Sequence, residues 1–378
     1  SYGNPILVDC LVNHTYQRFV LRTVAASEFD HQWRADRANE VIQGYDTFNE
    51  LAQHARALDI GIVTKNHQLV SIADGDEFFL LTEFIRGTPY ANDLQRLRDT
   101  GEVTGGDLMR ARQLALYLAE IHNVQGDDPT LYTRRIRDTL YSGEGILGLI
   151  DSYVQAYYRS PVHAEENIVQ SDGQRTNLPK ETPKSARMSG LDRLNNRGRT
   201  KDITDSERSW ALQIVNPEWF KELEKSCVTW RWRLYEKTDR LAQVHGDFHP
   251  FNVLFERNGT FHTIGRSRGA WGEPADDVAC MAINYLFFSL QRSGTLASPF
   301  EQLWNIFWNT YIGSRNDPEL LVIIGPFFAW RALVLASPIW YNVADEVRTT
   351  LLNFARYTLQ AELFDPAAVK DYLSTERK

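Results

Sequence analysis

The chain has 378 residues, 43% of them apolar and 12% aromatic. That is enough to build two packed lobes, and it excludes a disordered chain. The net charge of -8 excludes the basic footprint of a nucleic-acid binder. It suits either plain solubility or a cationic substrate.

Cys10, Cys227 and Cys280 are odd in number, far apart and without CxxC spacing. A disulfide framework or zinc site is not expected, and a reducing, cytoplasmic setting is. No apolar run reaches 18 residues, so no membrane span is expected. Ser1-Tyr2-Gly3-Asn4-Pro5 is not a signal peptide. The chain enters a strand-like run almost at once, so a strand upstream is expected to be missing.

Residues 6–10 and 18–24 are β-rich runs separated by Asn13-His14-Thr15, which predicts a hairpin. Residues 35–57 predict a helix, with Phe48, Leu51, Ala52 and Ala55 on one face. Residues 41–44 are ambiguous. Residues 69–73 and 77–82 predict two more strands around the turn Asp74-Gly75-Asp76. The first part therefore reads β-β-α-β-β, a small antiparallel sheet with one helix.

Beyond Gly87 and Pro89 helices dominate. Residues 107–123 carry the stripe Leu108, Ala111, Leu114, Ala115, Leu118 and Ile121. Residues 301–312, 326–336 and 344–363 are further helices. Residues 161–208 lack Phe, Trp and Tyr altogether. They predict a polar, flexible insertion, after which residues 210–239 return to aromatic-rich helix.

The chemistry concentrates at His245-Gly246-Asp247-Phe248-His249-Pro250-Phe251-Asn252. A carboxylate and a carboxamide five positions apart sit on a proline-constrained loop between apolar stretches. Such a pair can orient a hydroxyl and offer oxygen to a hard cation. Positioning a nucleophile and neutralising phosphate charge are the two tasks of phosphoryl transfer.

This loop resembles the His-Gly-Asp-x-x-x-x-Asn loop of the aminoglycoside phosphotransferase and choline kinase family, itself parallel to the His-Arg-Asp loop of protein kinases. The resemblance implies an α+β, two-lobed kinase-like fold. A small antiparallel-sheet N-lobe would span residues 1–87, and a larger helical C-lobe residues 88–378. It implies ATP or GTP as co-substrate, Mg2+ as cofactor and a small-molecule hydroxyl as acceptor. Asp247 would orient the hydroxyl or accept its proton. Asn252 would bind magnesium, and His245 would anchor the loop.

The resemblance extends further. Phe19-Val20-Leu21-Arg22 is similar to the strand that places a cation on the nucleotide phosphates, here Arg22. Its acidic partner would be Asp46 or Glu50, with spacing favouring Asp46. Glu83, Phe84 and Ile85 resemble the hinge whose backbone meets the base. Ser1-Tyr2-Gly3-Asn4 would be the remnant of a phosphate-covering loop. Trp271-Gly272-Glu273-Pro274-Ala275-Asp276-Asp277 resembles the family's Gly-Asp-Pro-x-x-Asp, so Asp277 would hold the loop through backbone amides.

One departure stands out. The family's principal magnesium acid belongs eighteen positions after Asp247, where this chain has Gly265. Weak metal binding and slow or absent transfer are expected. Three explanations stay open: a substitution in an otherwise normal kinase, a natural pseudokinase, or an acid supplied from elsewhere. For the substrate, Trp304, Trp308, Trp330, Trp340 and Tyr341, with Glu301, Asp345 and Glu346, are either an aromatic-acidic wall for a cationic or sugar-like alcohol or ordinary helix packing.

Overall fold

A computed structural model describes residues 3–26, 31–50, 55–75, 82, 84–158, 217–266, 268–338 and 340–373. The chain divides into two compact units, Ser1–Phe84 and Ile85–Lys378. The expected strand at 77–82, Leu51 and Ala52, Glu83 and the insertion at 161–208 lie outside the described residues, apart from Thr82.

In the first unit, β1 (Gly3–Val12) and β2 (Thr15–Val24) form an antiparallel hairpin, with Val12 opposite Thr15. Asn13 and His14 make the two-residue turn at φ 49° and 65°. That left-handed pair is the geometry matching strand twist, and Asn tolerates it. The helix α1 (Arg34–Thr47) starts where the Asp36 carboxylate accepts from the Trp33 backbone N–H at 2.8 Å. The expected helix over 35–57 ends early. Phe48–Glu50 is a 3-10 turn, and Asn49 exchanges two hydrogen bonds with the Ala57 backbone at 3.0 and 3.1 Å. An Asn side chain bonded to main chain competes with the helical ladder. A second hairpin pairs β3 (Gly61–Val63) with β4 (Leu69–Ser71). β3 was not expected, since three residues carry too little alternation to detect. Among the described side chains of this unit only Ile60 is buried.

The core lies in the second unit, which is mainly helical. Its helices are α2 (Tyr90–Thr100), α3 (Gly105–His122), α4 (Pro129–Leu140), α5 (Ile146–Tyr158) and α6 (Pro217–Tyr235). They continue with α7 (Pro274–Ser293), α8 (Phe300–Arg315), the single turn α9 (Leu320–Ile323), α10 (Gly325–Ala336) and α11 (Asp345–Gln360). α3 opens on a capping box, Thr104 and Asp107 exchanging side-chain bonds with each other's backbone N–H. α7 is buried at every residue from Pro274 to Leu290 and packs against α2, α8, α10 and α11. A helix enclosed on all sides is a fixed reference for whatever its N-terminus touches.

Two small antiparallel sheets sit beside these helices. β7 (Val253–Phe255) pairs with β5 (Thr88–Pro89) on one edge and β8 (Phe261–Thr263) on the other. β6 (Ala242–Gln243) pairs with β9 (Trp271–Gly272). The segment between β6 and β7 is therefore held at both ends. Among the described residues no helix is long and apolar enough to cross a membrane.

Candidate active site

The segment held between β6 and β7 carries His245, Asp247 and Asn252. Asp277, in the first turns of α7, accepts from the His245 N–H at 2.6 Å and the Gly246 N–H at 2.8 Å. Gly246 sits at φ +84°, and a Cβ there would lie 3.2 Å from that of Arg268. Glycine is what lets the chain turn under Arg268.

Asp277 is fully buried and shares its Oδ2 with His122 Nε2 at 3.3 Å. His122 Nδ1 lies 2.8 Å from the Tyr311 hydroxyl. Burial holds the His122 ring below its ordinary pKa, so the neutral ring donates at Nε2 and accepts at Nδ1. Burial alone would raise the Asp277 carboxyl. The His122 bond and the His245 amide outweigh it and hold the group low.

Glu273 fixes the start of α7 from the other side. It caps Ala275 N–H at 3.2 Å and takes Arg240 through both oxygens at 2.9 and 3.0 Å. It also accepts from the Tyr132 hydroxyl at 3.0 Å. Both members of this ion pair are buried.

Asp247 is surrounded by donors. Its Oδ1 takes Arg268 and Arg331, each at 3.1 Å. Its Oδ2 takes the Asn252 carboxamide at 3.3 Å and lies 3.4 Å from His249 Nε2. Burial alone would raise this carboxyl as well. His249, Arg331 and Arg268 together hold it well below the usual carboxylate range. Arg331 bridges on to Asp276 at 2.7 Å, and Arg268 donates to the Gly246 carbonyl at 2.7 Å. Both guanidiniums lie over Trp330, at 4.0 and 4.7 Å from its ring centre. His249 Nδ1 accepts from Phe251 N–H at 3.2 Å and caps the 3-10 turn Pro250–Asn252.

Gly265 follows β8 at φ +72°. A Cβ built there would meet the Asn252 carboxamide at 2.7–2.9 Å. Asn252 Nδ2 donates to the Asp247 carbonyl at 3.0 Å. The residues present do not fit a magnesium ion. Asp247 is taken up by cations, Asn252 offers one neutral carbonyl, and Gly265 offers no side chain. Among the described residues no group of three His, Cys, Asp or Glu side chains could hold a metal.

The structure thus gathers His245, Asp247, Asn252, Gly265 and Asp277. Other expected site residues are not brought together. Arg22 is exposed on β2 opposite Pro5, and Asp46 is exposed on α1. Among the described residues no ion pair joins Arg22 to Asp46 or Glu50. Glu50 lies in the 3-10 turn that follows α1. Phe84 ends the first unit 86% exposed, and Ile85 begins the second.

The aromatic-wall expectation fails for Trp304, Trp308 and Trp330, which are buried at 1–2% exposure in the core. Trp340 is 66% exposed. Arg268 and Arg331 were not singled out by sequence. The signal available was one arginine within the apolar run of α10, because a charge in such a helix must find a partner.

No family model matches this chain, and no curated protein matches it. Among solved structures the chain is similar to an ethanolamine kinase from Plasmodium vivax, at 12% identity and a TM-score of 0.34. The match covers 97% of this chain and 77% of that one.

Proposed function

We propose that this chain is a small-molecule O-phosphotransferase of the kinase-like type, moving the γ-phosphate of ATP or GTP to a hydroxyl. The observation that carries the reading is the tethered loop. Asp277 grips the main chain at His245 and Gly246, and the Asp247 carboxylate and Asn252 carboxamide are then presented side by side.

Asp247 would orient the acceptor hydroxyl. Its carboxyl is held ionised, which makes it a weak base but a constant hydrogen-bond acceptor. In a loose phosphoryl-transfer transition state, alignment is the larger contribution. The hydroxyl must displace one of the donors already on Asp247. His249 stands farthest off, at 3.4 Å, and at 30% is the most exposed of the three charged or titratable donors. It yields first. Arg331 and Arg268 keep the carboxylate in place meanwhile.

No step is routed through magnesium, because the donor set does not fit it. A second reading follows from that: a catalytically silent nucleotide- or ligand-binding module. Gly265, with the Asn252 carboxamide standing where a side chain would go, favours it.

The test is transfer from labelled nucleotide to a panel of hydroxyl compounds by the chain and by Asp247→Asn. That variant keeps the shape and loses the charge. Loss of about 100-fold or more supports the first reading, and an unchanged rate removes Asp247 from its role. Nucleotide-induced thermal stabilisation indifferent to magnesium, with no transfer by either protein, supports the second.

A further inference from the structure

Beside the loop, with Gly265 in its lining, the second unit holds a half-open cavity of about 280 Å³. Tyr117 and Ile121 of α3 form one wall. Val244, His245, Ile264 and Arg266 supply most of the rest. None of the lining residues is acidic, and Arg266 brings a full positive charge.

His245 is 4% exposed and lines this cavity. Its Nδ1 accepts from the Asp247 N–H at 3.3 Å. That bond leaves the ring proton on Nε2. Nε2 has no partner among the described residues. An acceptor in the cavity would give this N–H a fixed partner in place of solvent. Arg266 is placed to assist. Its Nη2 is spent on the carbonyls of Val244 and Ala270 at 2.7 and 3.2 Å. Its Nε and Nη1 bond to nothing among the described residues. The Tyr117 hydroxyl is likewise without a described partner, while its ring is fixed against Phe248 and Phe261.

We propose that this cavity binds a small oxyanion, a carboxylate or phosphate on a compact and partly apolar body, held by His245 Nε2–H and the Arg266 guanidinium. A guanidinium and an imidazole N–H lining one cavity that has no carboxylate in its lining recognise an oxyanion. Tyr117, Ile121 and Ile264 give the apolar body its contact. A volume near the lower end of ligand sites sets the size. The occupant would bond the ring whose other nitrogen accepts the Asp247 amide, so the site is joined to the loop by a single side chain.

The experiment is titration of the full chain with benzoate, inorganic phosphate and neutral benzyl alcohol. It is followed by calorimetry and by histidine-selective ¹⁵N spectra. The expected result is saturable one-to-one binding of benzoate, phosphate or both, a shift of one buried histidine signal at Nε2, and no response to benzyl alcohol. Response to one anion alone identifies the head group. Arg266→Met should weaken binding by roughly tenfold, the loss of a charge-assisted contact. Arg266→Lys, which keeps the cation, should recover part of it. Tyr117→Phe should weaken it less while leaving the ring packing intact. Absence of saturable binding, equal binding of the neutral alcohol, or an Arg266→Met variant that binds as well as the parent overturns the proposal. No turnover is measured, so this outcome is independent of the phosphotransfer reading.

Discussion

Gly265 and Asp247 define the chemistry at the scale of single residues. Gly265 is in the left-handed region, where Asp is tolerated better than most side chains. Its neighbour in space is the carboxamide end of Asn252, a group able to rotate. Returning an acid there therefore requires the whole Asn252 side chain, Cγ included, to swing off its bonds to Asp247. Asp247 depends on Arg331, which is nine-tenths buried between two carboxylates. Arg331→Met should leave the buried Asp276 without its ion-pair partner and Asp247 with Arg268 and His249 alone. We expect a loss of about 3–5 kcal/mol, the usual result of removing one partner from a buried ion pair. Urea unfolding checks it, and a loss under about 1 kcal/mol would show that the bridge is not structural. The loop and Asp277 were legible in the sequence because their residue types and spacing are unusual in combination. Arg268 and Arg331 were not, because what singles them out is convergence on one carboxylate oxygen from positions 21 and 84 residues away.

Elements explain how the loop is aimed. α7 is enclosed over most of its length, and its N-terminus is clamped by Glu273 with Arg240 and Tyr132. Asp277, one turn further on, transmits that rigidity to the loop. Glu273→Ala should cost about 3–5 kcal/mol, since it leaves Arg240 short of a buried partner and removes the α7 cap. Arg240 retains Asp317 at 2.8 and 2.9 Å, which sets the lower end of that range. Denaturant unfolding measures it, and a change below about 1 kcal/mol contradicts the clamp. α3, α6, α8, α10, α11 and the first hairpin followed from periodicity and the Asn13-His14 turn, whereas α2, α4, α5 and α7 were not singled out. The end of α1 did not, because it is decided by Asn49 reaching eight residues ahead to Ala57. β3 did not because it is too short to show a period.

For the whole molecule, the buried carboxylates set the response to acid. Asp247, Asp277, Asp107 and Asp317 all lie below their ordinary values. Burial opposes the shift in each case, and hydrogen bonds and cations outweigh it. A carboxyl lowered in the folded state stabilises above its unfolded pKa. That contribution is lost as pH falls through the folded value. Asp276, raised by burial, works in the opposite sense. With His122 and His245 also lowered by burial, these groups predict that urea midpoints decline gently below about pH 6.5, where the unfolded histidines take up protons, and fall steeply below about pH 4, near the unfolded carboxyl value. A midpoint that rises or stays level between about pH 4 and 2.5 contradicts this assignment. The central claim is that the tethered loop is a phosphotransfer site short of one acid. The most direct measurement is magnesium-dependent transfer from labelled ATP and GTP by the parent, by Gly265→Asp and by Gly265→Asp combined with Asp247→Asn. The account predicts a gain of at least about tenfold in Gly265→Asp that the added Asp247→Asn abolishes. A folded Gly265→Asp protein with no gain, or a gain that survives loss of the Asp247 charge, would contradict it.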